Sequence, residues 1–126
     1  MASEDPTEVR GAHVEVSASN GVTVVAVTGV VDMLSAPNLT DIVTAALEDH
    51  PSALLIDLTG VDFLASAGLE VLVKAHRLAQ PHTRIAVAAD GPATSRPIKI
   101  TQVDQFVPLY ATTSDAIAAL SAPAAD

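Results

Sequence analysis

The chain contains no cysteine and no tryptophan, and aromatic residues make up only 2% of its 126 residues. Without cysteine it can form no disulfide, no thiolate nucleophile and no thiol redox sensor. Basic residues are also scarce, six against 15 acidic ones, so the formal net charge is −9. Nucleic-acid binding needs a basic surface for phosphates or aromatic side chains for bases. The composition therefore argues against nucleic acid as a partner and favours solubility or a basic protein partner.

Long apolar segments are absent as well. No apolar run approaches the ~20 residues that a membrane span requires. The N-terminal sequence Met1-Ala2-Ser3-Glu4-Asp5-Pro6 has neither the basic region nor the apolar stretch of a secretory signal. We therefore expect a cytoplasmic protein without membrane insertion. The four histidines show no metal-ligand spacing, so we expect no metal and no cofactor on this chain; they are His13, His50, His76 and His82.

What the chain does have is enough apolar material for one core. Hydrophobic residues make up 49% of the sequence, and nearly all are valine, leucine, isoleucine or alanine. The length predicts one domain. We expect a mobile leader over residues 1–10, a single domain over 11–120 and a frayed tail over 121–126. The apolar content fits a monomer or a weak dimer.

The pattern of apolar residues predicts an alternating α/β domain. Two β-branched runs around Asn20-Gly21 indicate a hairpin, and Ser35 with Pro37 marks the start of a helix. The predicted order is β-β-α-β-α-β-α-β-α, which implies a mixed sheet of four or five strands with about four helices largely on one face. Among the later elements we expect a buried strand Ala53–Leu58, a helix from Ala67, a strand from Arg84, a short helix from near Ser95 and a last helix capped by Thr113 or Ser114. We also expect a short strand Phe106–Tyr110, which Pro108 makes an edge strand or partly irregular.

Ser66 lies where a buried strand leads into a helix, in Asp62-Phe63-Leu64-Ala65-Ser66-Ala67-Gly68-Leu69. We expect it to cap that helix, with its hydroxyl facing the unpaired N–H groups of the first turn. Such a serine can serve as a cap alone. It can also present an exposed hydroxyl at a position suited to hold an anion.

The same segment has a partial likeness to the Gly-x-Ser-x-Gly elbow of hydrolases. The first glycine of that pattern is replaced by Leu64, however. His76, a candidate base, lies ten residues along the helix that Ser66 begins, which is about 15 Å and beyond hydrogen-bond reach. We therefore predict that the chain is not an enzyme.

The element order and two short motifs resemble the STAS domain, and within it the stand-alone anti-sigma factor antagonists of bacteria. The first motif is Gly29-Val30-Val31-Asp32 after the second strand, and the second is the segment around Ser66. In the family the second motif is Asp-Ser-Ser/Thr-Gly-Leu with a phosphorylated first serine, which matches Ser66. The chain departs from the family at Ala65, which replaces the acid, at Ala67, which replaces the second hydroxyl, and at Val30, which replaces a glutamate.

The resemblance implies a partner switch in which the unmodified chain binds an anti-sigma factor and frees a sigma factor for transcription. It implies that the anti-sigma factor is a serine kinase, with ATP and Mg²⁺ on that partner, and that a phosphatase removes the phosphate from Ser66. The expected contact surface is formed by Asp32, Met33, Leu34, Leu64, Ala65, Ala67, Gly68 and Leu69. Met33 and Leu34 can be exposed contacts or can form a hydrophobic staple under the preceding helix start.

The sequence is also compatible with a second function. Because Ala65 and Ala67 replace the acid and the second hydroxyl of the family motif, the chain can instead be a STAS-type accessory subunit of a lipid-handling ABC transporter. In that role the domain supports the ATPase, and its binding is not switched by its own partner.

Overall fold

In the computed structural model, Glu8–Val9 and residues 11–121 are described. They form one six-stranded sheet in the order β1-β2-β3-β4-β5-β6 with four α-helices. The bounds are β1 Glu8–Val9, β2 Ala12–Ser19, β3 Val22–Val31, α1 Ala36–Glu48, β4 Ala53–Leu64, α2 Ser66–Ala79, β5 Arg84–Ala88, α3 Ser95–Ile100, a 3₁₀ turn Val103–Gln105, β6 Leu109–Tyr110 and α4 Thr113–Ser121. The rest of the predicted leader and the tail beyond Ser121 lie outside the described residues.

The sheet is mixed, as the sequence predicts. β1, β2 and β3 pair antiparallel, whereas β3, β4, β5 and β6 pair parallel. The turn between β2 and β3 has positive φ at Asn20 (52°) and at Gly21 (80°). Such a pair is the conformation of the two-residue hairpin turn that asparagine–glycine favours. The predicted hairpin is therefore confirmed.

Helices cover both faces of the sheet. On one face, residues of α1, α2 and α3 join the larger core cluster, with side chains such as Leu39, Leu72 and Ile98 over the central strands. On the other face, Ala116 and Leu120 of α4 pack on a smaller cluster. Because side chains alternate along a strand, neighbouring residues of β3 and β4 supply both cores. The predicted fold class is confirmed, with three of the four helices on one face, and the predicted element order is found from β2 onward. The additional strand β1 lies within the predicted leader and pairs with β2, so the sheet has six strands instead of the four or five predicted.

The central strand β4 runs further than predicted, to Leu64 instead of Leu58. Its irregular point is at Asp57, whose Oδ1 accepts bonds from the Thr59 N–H (3.0 Å) and the Thr59 hydroxyl (2.7 Å). The register with β3 shifts opposite this point, between Ala26 and Thr28. The strand resumes beyond the shift, so the second motif sits at the end of a long parallel strand.

The helix starts differ from prediction in detail. Ser35 does occupy the residue before α1, but its hydroxyl donates to the Val30 carbonyl (2.8 Å) and accepts from the Asp32 N–H (3.0 Å) instead of capping the helix. At α4 the Thr112 hydroxyl accepts from the Asp115 N–H (3.0 Å), so the cap lies one residue before the predicted position.

Candidate functional site

Two loops meet at the carboxyl edge of the parallel strands. One follows β3 and contains Asp32–Ser35, and the other is the turn from β4 into α2. β3 and β4 are parallel neighbours with Val31 opposite Leu64, so both loops leave the sheet at the same edge. The Ala65 N–H donates to the Val31 carbonyl (2.8 Å) and ties the two exits together.

Ser66 is the first residue of α2 and is exposed. The residue in the cap position is Ala65, and no side chain caps the helix. The prediction that Ser66 caps α2 is therefore wrong, because the helix begins one residue earlier than the apolar period suggested. Among the described residues, the N–H groups of Ser66 and Ala67 have no hydrogen-bond acceptor. An exposed hydroxyl thus lies beside two unpaired donors at a positive helix end.

Gly68, in the first turn of α2, allows the helix to begin in close contact with the sheet. A Cβ atom at this position would lie 2.8 Å from Val31 Cγ1 and would also collide with Leu64 Cδ1. The first helical turn therefore rests directly on the ends of β3 and β4. This close packing fixes where Ser66 points out of the fold.

Asp32 holds the other loop in shape. Its Oδ1 accepts hydrogen bonds from the N–H groups of Leu34 (3.0 Å) and Ser35 (3.2 Å) just before α1. The side chain is half-buried. The carboxylate therefore has a structural role, and it also places a negative charge at the rim of the site.

An open depression of about 500 Å³ lies between the two loops. Its lining residues, which we call the switch depression, are Asp32, Met33, Leu34, Ala65, Ser66 and Ala67. Met33 is 75% exposed and Leu34 is 57% exposed. They are therefore exposed at the surface and do not form a staple under α1.

Three predicted contact residues occupy other places. Leu64 and Gly68 are buried, so they support the depression from beneath. Leu69 is half-buried and packs against the core. Sequence reasoning missed a groove between α1 and α2 that shares Met33 and Ala67 with the depression and continues to Glu70 and Lys74. The helical spacing of Ala67, Glu70 and Lys74 was the available signal.

The charged side chain that lines the switch depression is acidic. Among the described residues, no lysine or arginine lines it, whereas Asp32 does. Glu70 follows one turn along α2, and Lys74 is reached only in the adjoining groove. A phosphate on Ser66 would thus have backbone donors near it but no cation in the depression.

Among the described residues, the lining of the switch depression includes one side-chain hydroxyl and one carboxylate but no histidine, and His76 lies toward the far end of α2. Within the described part of the chain, no three histidine or acidic side chains are grouped so that they could hold a metal ion. Over the same residues no helix is long and apolar enough to cross a membrane.

Comparisons with known proteins agree with this architecture. A family model of the STAS domain matches residues 13–116. The chain is 35% identical over 104 residues to the anti-sigma-F factor antagonist RsfB of Mycobacterium tuberculosis, covering 82% of this chain and 85% of the relative.

Solved structures give the same result. A crystal structure of an anti-sigma factor antagonist from Mycobacterium paratuberculosis is 41% identical with a TM-score of 0.85, covering 88% of this chain and 95% of the other. The unphosphorylated form of the antagonist SpoIIAA shares the fold, with a TM-score of 0.71 at 11% identity, over 89% of this chain and 99% of the other. Because the family model matches most of the chain and these relatives share its sequence and fold, the chain belongs to the STAS domain family.

Proposed function

We propose that this chain is an anti-sigma factor antagonist whose binding is switched off by phosphorylation of Ser66. The observation that carries the proposal is an exposed serine hydroxyl at the start of α2, inside a mostly apolar surface depression. The relatives of 35% and 41% identity bear the name of anti-sigma factor antagonists. The role is one of binding, with no chemical step performed by this chain.

The unmodified surface suits a protein partner. Met33 and Leu34 project from one loop, and Ala65 and Ala67 flank Ser66 on the other. Exposed apolar side chains at the centre of a rimmed depression are typical of a protein-binding surface. With alanine at both positions beside Ser66, the centre of this surface is more apolar than the family pattern, so apolar contact contributes more to affinity.

Phosphorylation changes the same surface sharply. A phosphate on Ser66 adds a charge of about −1.5 to −2. The unpaired N–H groups of Ser66 and Ala67 can hold it without rearrangement of the fold. In the complex, however, the charge would be covered beside Asp32, and none of the described residues that line the depression is a lysine or arginine. A cost of about 2–4 kcal/mol for a covered unpaired charge corresponds to a loss of affinity of about thirtyfold to a thousandfold.

The remaining parts of the switch belong to other proteins. The anti-sigma factor is proposed to be the kinase, so ATP and Mg²⁺ bind to it and this chain supplies only the acceptor hydroxyl. The replacement of the family acid by Ala65 is compatible with this, because the base that activates the serine comes from the kinase. A phosphatase restores the binding form by removing the phosphate.

The test is capture with the tagged chain, followed by calorimetry with the captured protein. We expect an anti-sigma factor to be captured, Ser66→Ala to bind like the wild type, and Ser66→Glu to bind at least about tenfold more weakly. Ser114→Glu is the matched control, because Ser114 is also an exposed serine in a first helical turn but lies on α4. Equal affinity for all four chains would refute the switch, and capture of a transporter ATPase would support the accessory-subunit reading in its place.

A further inference from the structure

A groove between α1 and α2 continues the surface of the switch depression. The two share Met33 and Ala67 as lining residues. Further from the depression, the groove is lined by Thr40 of α1 and by Glu70 and Lys74 of α2. We call it the α1–α2 groove. A protein that covers the depression therefore reaches the near end of this groove at the two shared residues.

The lining of the groove includes small and buried apolar side chains. Ala36 of α1 is 6% exposed and Val71 of α2 is 4% exposed, so they form its floor. Ala67, which is half-buried, lies at the near end. The volume of about 250 Å³ is below the range of about 300–1,000 Å³ that is usual for small-molecule sites. The groove therefore suits one or two projecting side chains of a protein.

The α2 side of the groove carries charges of opposite sign along its length. Glu70 lies one turn after Ser66, and Lys74 lies another turn along the helix, about 6 Å further. Both side chains are exposed. Asp32 adds a negative charge in the adjoining depression. The surface thus changes from negative at the depression to positive at the far end of the groove, and a partner with the opposite order of charges fits it in one direction only.

We infer that the α1–α2 groove holds a segment of the anti-sigma factor and determines which anti-sigma factor binds. The segment places an apolar side chain on Ala36 and Val71, a basic side chain beside Glu70 and an acidic side chain beside Lys74. The inference rests on the proposed function, because the same partner must cover the depression. Ser66 does not line the groove. The two surfaces therefore have separate roles: Ser66 controls whether the partner binds, and the groove selects the partner.

Thr40→Phe tests the apolar contact by calorimetry with the captured anti-sigma factor. We expect affinity to fall by about tenfold or more, because the aromatic ring occupies the space that the partner's side chain needs. Thr44→Phe is the matched control. Thr44 is also a half-buried threonine on α1, one turn further along, and it does not line the groove. This control should bind like the wild type.

Lys74→Glu tests the charge pattern with an exposed residue, so it serves even if Thr40→Phe does not fold. We expect its association rate constant to fall by about three- to tenfold at low salt and by less at high salt. Arg77→Glu is the matched control, because it changes the net charge equally and Arg77 is exposed on α2 outside the groove. It should associate like the wild type.

The outcomes separate this inference from the proposed function. If Thr40→Phe and Lys74→Glu bind like their controls while Ser66→Glu binds weakly, the inference is wrong and the proposed function stands. Equal losses in the variants and their controls would also refute the inference. If the tagged chain captures no anti-sigma factor, both the inference and the proposed function are overturned.

Discussion

Replacing Gly68 by alanine tests whether the start of α2 is as closely packed as the structure indicates. The new Cβ would lie 2.8 Å from Val31 Cγ1 and would meet Leu64 Cδ1 more closely still. Leu64 is 4% exposed and Val31 is fully buried, so neither can turn aside into solvent. The bond from the Ala65 N–H to the Val31 carbonyl (2.8 Å) also keeps the helix from moving away.

Overpacking of this kind costs about 1–3 kcal/mol. Alanine in place of glycine in a helix gives back about 0.5–1 kcal/mol. We therefore expect Gly68→Ala to lower the free energy of unfolding by about 1–2 kcal/mol in urea denaturation, without a change in the m-value.

A double-mutant cycle identifies the cause. Leu64→Ala alone should cost about 2–5 kcal/mol, as for other buried leucines. In the Gly68→Ala background it should cost about 1 kcal/mol less, since the truncation removes one of the two atoms that the new methyl meets. Additive effects, or a Gly68→Ala chain as stable as the wild type, would refute the packing that places Ser66.

Two further predictions concern the loop after β3. Met33→Ser should weaken anti-sigma factor binding about five- to thirtyfold in calorimetry, because burying the exposed methionine side chain in the complex contributes about 1–2 kcal/mol. The control is Ile100→Ser, which alters a 71% exposed residue outside the depression and should leave the affinity unchanged. Equal losses of affinity in both variants would exclude the depression as the contact surface. Asp32→Ala should lower the free energy of unfolding by about 1 kcal/mol, because two backbone N–H groups before α1 lose their acceptor. An unchanged midpoint of thermal denaturation would show that the loop does not depend on this carboxylate.

The fold was largely predictable because local and global signals agree. Asn20-Gly21 can adopt the two positive φ values of the hairpin turn, and Pro37 fits a first helical turn. Alternation of strands and helices then leaves few ways to arrange a mixed sheet.

The errors occur where tertiary contacts decide the outcome. β4 continues past Asp57 because Thr59 satisfies that carboxylate locally and the strand then pairs again with β3. β6 is an edge strand confined to Leu109–Tyr110, in agreement with the irregularity that Pro108 predicts for the segment, and the 3₁₀ turn before it holds the preceding chain out of the ladder. Neither effect leaves a periodic signal in the sequence.

The sequence predicted which residues lie close together around the candidate site, but not which of them are buried beneath it. Ser66, Asp32, Met33 and Leu34 do meet around one depression. That Leu64 lies under the surface could not be read from one sequence, because an apolar residue before a helix can face either way.

The most direct test of the account is the dissociation constant of the anti-sigma factor complex, measured by calorimetry for the chain with phosphoserine at position 66 and for the unmodified chain. The phosphate charge near Asp32, with no lysine or arginine among the described residues of the depression, predicts that the phosphorylated chain binds about thirtyfold to a thousandfold more weakly while its thermal stability is unchanged. Equal dissociation constants for the two forms would contradict the account.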